Sequence, residues 1–129
     1  MMNGISAMMV ATAVLAAPAI GHAGSKYEGA YCEVNPDGSG WCDGTLRGFR
    51  NSAYGTNYAS FSSGTSPWNR GQFSASYQTL HGLYCFPTDE VYKLWPTAVA
   101  FSGGFTIYWN KSHECNALLL MNGSEHRDF

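Results

Sequence analysis

Four cysteines constrain this chain more tightly than any other feature. Cys32 and Cys42 have nine residues between them, Cys85 and Cys115 have 29, and 42 separate the two pairs. In an exported chain an even number of cysteines most simply forms disulfides. Three pairings are possible and spacing alone does not choose among them; the near-neighbour scheme, Cys32–Cys42 with Cys85–Cys115, is the expected one. In the chain-entropy model each closure contributes about 3 kcal/mol or somewhat more. A zinc site is disfavoured because the C-x2-C and H-x3-H clusters that such sites use are missing.

Export is read from the first 23 residues. Ile5 to Ile20 carries no charge and no aromatic, and Gly21-His22-Ala23 offers a small-x-small cleavage site ahead of Gly24. No Lys or Arg precedes the apolar run, a departure from the usual leader. The run is also short of the roughly 20 residues that span a bilayer, so a cleaved leader is expected over a retained anchor. Cleavage leaves residues 24–129 as a single domain, secreted or periplasmic, with no membrane span. Every aromatic and every charged residue lies in that part. The net charge is −2 with Lys and Arg scattered. Without a basic patch, nucleic acid is not expected as a bound partner.

The stretch from Gly82 to Asn122 holds the longest apolar runs of the mature chain. It reads as a strand at Leu83–Phe86, a helix from Thr88, a strand at Phe105–Asn110 and a last strand at Cys115–Asn122. Thr88 can cap the helix, and Asp89 and Glu90 suit the positive end of its dipole. Pro96 must end that helix or open a second short turn. The Leu118-Leu119-Leu120 run implies burial on both faces. Upstream, Ala30–Val34 and Trp41–Leu46 flank the turn-rich Asn35–Gly40 and read as a hairpin. There Tyr31, Glu33, Trp41 and Asp43 share one face, and Cys32, Val34, Cys42 and Leu46 the other. Arg47 to Asn57 reads as irregular, Tyr58–Ser62 as a strand, and Ser63 to Gly71 as a nine-residue loop carrying Trp68. Phe73, Ala75 and Tyr77 alternate with serines, the signature of a strand buried on one face. Thr79 to Gly82 reads as a turn. The expected fold is mainly β (or α+β): a small antiparallel sheet or sandwich of six to seven short strands with one short helix near residues 88–102.

Three groupings could carry chemistry. Asn35, Asp37, Ser39 and Asp43 stand at positions 1, 3, 5 and 9 of a calcium-binding loop, with Gly40 at position 6. The twelfth position, which should be a bidentate Glu, is Leu46. Calcium is the one cofactor this pattern suggests, and ordinary turn chemistry accounts for the same residues.

An acid–base reading draws on His81, His113, Glu114 and Arg70. In composition alone the chain resembles small microbial ribonucleases, and that resemblance implies His and Glu as base and acid with Arg on the phosphate. No motif or spacing supports it, and His81 and His113 also read as turn residues. The third grouping is Trp68 with Tyr54 and Tyr58. They form either an exposed stacking surface for a ligand such as a sugar, or for a protein partner, or, for Trp68, a lid folded back on the core. The sequence ranks a non-enzymatic exported binding module first and a small secreted hydrolase second. Asn110-Lys111-Ser112 and Asn122-Gly123-Ser124 are glycosylation sequons, relevant only in a host that adds glycans.

Overall fold

Residues Gly29 to Asn122 are described by a computed structural model; the expected leader and the polar tail lie outside these described residues. Seven strands form one mixed sheet: β1 (Ala30–Val34), β2 (Gly40–Thr45), β3 (Tyr58–Ser66), β4 (Asn69–Tyr77), β5 (Leu80–Pro87), β6 (Gly104–Trp109) and β7 (Glu114–Met121). Three short helices accompany them: α1 (Leu46–Arg50), α2 (Asp89–Tyr92) and α3 (Trp95–Ala100). The strand order is β1-β2-β6-β7-β5-β4-β3.

Antiparallel pairing prevails, as the alternating pattern and short turns require, with one exception. β5 and β7 run parallel, Phe86 opposite Glu114 and Pro87 opposite Cys115. A parallel pair needs a long crossover, and the segment through α2, α3 and β6 supplies it. Cys85–Cys115 is bonded beside this junction and Cys32–Cys42 spans directly opposed residues of β1 and β2. Two disulfides mark an oxidising extracellular or periplasmic setting. No helix among the described residues is long and apolar enough to cross a membrane.

The sheet folds over its own inner face. Phe61 of β3 and Phe73 of β4 meet Phe105 of β6 with ring centroids 5.2 and 5.8 Å apart, and Phe73 also meets Trp109. Phe49 of α1 stacks on Phe105, and Trp95 packs edge-on to Phe61. Phe49, Phe73, Trp95, Phe105 and Ile107 are all fully buried. Burying each side chain of this size contributes roughly 1.5–3 kcal/mol. An aromatic core suits a domain with few aliphatics.

Several sequence expectations are corrected. The Ser63–Gly71 loop is a hairpin: β3 and β4 run on to Ser66 and Asn69, and only Pro67 and Trp68 turn the chain. The register shifts between Ser63 and Ser66. There a Cβ on Gly64 would lie 2.5 Å from the Asn69 carbonyl oxygen, so the glycine marks a bulge inside the hairpin and not a loop. The turn after β4 is Gln78-Thr79, closed by the buried Asn57, which accepts from the Gln78 amide at 2.7 Å. His81 therefore sits in β5. Within the segment read as irregular, Leu46–Arg50 is helical because the Thr45 hydroxyl caps it, accepting from the Gly48 amide at 2.8 Å. The single expected helix is two, α2 capped by Thr88 and α3 opened with Pro96 in its first turn. Leu119 is 52% exposed, so the leucine run is buried on one face only. Ser76, expected to face outward, is buried beside His81.

Candidate functional site

Trp68 stands at the tip of the β3–β4 hairpin and is 87% exposed; it is not a lid on the core. A two-residue turn leaves its side chain nothing to fold against. Phe86, on the outer face of β5, is 39% exposed, and the two residues border a hollow of about 300 Å³ with Pro67, Asn69, Arg70 and Pro87. The tip is braced from below. Arg70 donates to Asp89 at 2.6 Å and to the Pro87 carbonyl at 3.2 Å, and its guanidinium lies 4.3 Å from the Tyr92 ring centroid. The Trp95 indole N–H reaches the Ser62 carbonyl at 2.8 Å. The hairpin is thus held to α2 and α3 while its apex projects into solvent.

Tyr54 and Tyr58 are both exposed but belong elsewhere. Tyr58 begins β3 and Trp68 follows its end, which at about 3.3 Å per residue puts the two at opposite ends of the hairpin. The three rings are not brought together. Phe86 is the neighbour that sequence reasoning missed. Its place in an apolar strand gave no sign that this face of β5 is uncovered.

The four acid–base candidates are each engaged locally. His81 shares a 2.8 Å hydrogen bond with Ser76. The His113 ring stacks on Tyr84, centroids 4.2 Å apart and 7° between planes, with Nδ1 3.2 Å from the Tyr84 carbonyl oxygen. The carbonyl only accepts, so Nδ1 carries the proton there. Glu114 accepts from the Asn110 side chain at 2.9 Å, and Arg70 is held by Asp89. None of these contacts joins two of the four.

The Asn35–Ser39 loop closes on itself. Asp37 Oδ1 accepts from both the Ser39 amide (2.9 Å) and its hydroxyl (2.6 Å), and Asn35 Nδ2 donates to the Ser39 Oγ at 3.0 Å. These bonds hold the Asp37 carboxyl below its ordinary value. Asp43 faces away along β2 and accepts from Thr106 at 3.0 Å. Among the described residues no three His, Cys, Asp or Glu side chains cluster as metal ligands.

A second aromatic surface runs across β1, β2 and β6. Tyr31 lies 5.2 Å from Trp41, and Trp41 lies 6.2 Å from Tyr108, centroid to centroid. Tyr31 donates to Glu33, whose negative charge raises the phenol above its usual 10.0. No protein-family model matches the chain, and neither a curated protein nor a solved structure matches it.

Proposed function

We propose that the protein is an exported, non-enzymatic interaction module that engages a protein partner through the Trp68 hairpin tip. The 87% exposure of Trp68 on a braced hairpin carries this reading. A convex apex presenting an indole is shaped to enter a pocket in another protein, where tryptophan is among the side chains that contribute most to binding. Bracing by Arg70 and Trp95 lowers the ordering cost of association. The expected leader and the two disulfides support delivery to an oxidising compartment. The hydrolase alternative draws no support from the geometry, since the contacts of its residues run to other groups and not to one another.

The test is affinity capture from the extracellular or periplasmic fraction of the source cells. Wild-type domain and a Trp68→Ala variant would be used side by side. A partner retained by the first and lost with the second supports the reading. Equal capture by both would sink it.

A further inference from the structure

A hollow of about 570 Å³ lies away from the hairpin tip, between the Asn35–Gly40 loop and the outer faces of β6 and β7. We propose that it is a binding site for a neutral oligosaccharide. Its floor is the Trp41–Tyr108 ring pair, inclined by only 31°, and Tyr31 extends the row of rings toward the sheet edge. Its walls are Asn35, Ser39, Asn110 and Asn116. Among the described residues no charged side chain lines it.

The sequence builds this wall deliberately. The Trp109 indole N–H donates to the Gly38 carbonyl at 3.0 Å and pins the loop over the cleft. At Gly40 a Cβ would lie 2.5 Å from the Glu33 carbonyl oxygen and 2.8 Å from the Trp109 ring; only glycine allows the loop to come this close. The regular polar spacing that resembles a calcium loop thus serves to shape one side of a cleft. Asn110 is locked by Glu114 and by two backbone amides, from Ser112 and Glu114. Asn116, the Tyr108 hydroxyl and the Trp41 indole N–H meet no hydrogen-bond partner among the described residues. Donors and acceptors are therefore on offer around an aromatic floor.

That combination selects the ligand class. The C–H face of a sugar ring packs on indole and phenol, while its hydroxyls pair with amides and the phenolic oxygen. The volume lies within the range of small-molecule sites. Anionic ligands such as nucleotides lack a lining cation to meet their phosphates, and the charged groups bonded to the lining are carboxylates, Asp37 on Ser39 and Glu114 on Asn110, with Lys111 acting on Asp37 from outside the lining. A neutral polyol meets neither obstacle.

The site is separate from the Trp68 tip, so the two readings stand or fall apart. The experiment is isothermal titration calorimetry of the wild-type domain with neutral hexasaccharides of glucose, xylose, mannose and N-acetylglucosamine, and with a mononucleotide as the charged comparison. One or more hexasaccharides should bind with quenching of tryptophan fluorescence. Trp41→Ala and Tyr108→Ala should each weaken binding by about tenfold or more, while Trp68→Ala leaves it unchanged. Tyr108 is 42% exposed, so its replacement tests binding even where Trp41→Ala disturbs the fold. Failure of every hexasaccharide to bind at millimolar concentration overturns the proposal. So does binding that survives the Tyr108 substitution, or binding of the nucleotide alone.

Discussion

Gly71 lies directly against the indole of Trp95. A Cβ built there would sit 2.5 Å from Nε1 and 2.9 Å from the Ser62 carbonyl oxygen that Nε1 serves. The fully buried Trp95 therefore depends on a missing side chain across from it. Gly71→Ala should destabilise the domain by about 1–3 kcal/mol, as overpacking does. Urea unfolding of the variant measures this, and a loss within a few tenths would show that the hairpin shifts freely on α3.

How much of this architecture could be read beforehand depends on the range of the interaction. Strand alternation is local, so the strand at Phe105–Asn110 could be placed, and Phe73 and Ala75 were identifiable as an inward pair. The near-neighbour cysteine pairing was the expected one and is the one found, although spacing alone did not choose it: Cys32 and Cys42 flank one hairpin, while Cys85 and Cys115 meet only at the parallel junction. Helix capping by Thr88 was legible; capping by Thr45 was not, because Thr45 also ends a strand and Gly48 weakens the helical signal. The parallel β5–β7 junction has no local signature. The same limit applies to function. Trp68 could be singled out, but its exposure depends on whether Ser63–Gly71 is a loop or a hairpin. The cleft is assembled from Asn35–Trp41, Tyr108–Asn110 and Asn116, three segments that only the β2–β6–β7 pairing brings together.

Asp37 ties the first loop to pH. Its carboxyl is held below the ordinary value of 3.8 by bonds from Ser39. A depressed folded-state value means that the stabilisation is present above 3.8 and is lost as pH falls through the folded value. Asp37→Asn should melt below wild type near neutrality, and the two melting curves should converge under acid. Circular dichroism melts from pH 7 to about pH 2 read this out. A gap that stays constant would mean the charge is not what closes the loop.

His113 combines a left-handed backbone, φ 60°, with its stack on Tyr84. Alanine there loses the ring contact and keeps the backbone penalty. Glycine loses the same contact but relieves a penalty of about 1–2 kcal/mol. His113→Gly should thus be more stable than His113→Ala by about 1 kcal/mol in denaturant titrations. Equal losses would place the whole effect in the side chain.

The exposure of Trp68 is decided by stability as much as by binding. A tryptophan folded over the core would cost about 3–5 kcal/mol on truncation to alanine. At 87% exposure it touches too little for that, and surface substitutions of this kind stay within about 0.5 kcal/mol. Trp68→Ala should therefore leave the unfolding midpoint and slope unchanged while removing the most solvent-accessible component of the tryptophan emission. Acrylamide quenching of wild type and variant supplies that second measure. An unfolding free energy that drops by several kcal/mol would mean that the indole packs on the domain, and the Trp68 tip would then no longer account for a partner. A stable variant that fails to capture the partner bound by wild type would assign the loss to contact at the tip and not to the fold.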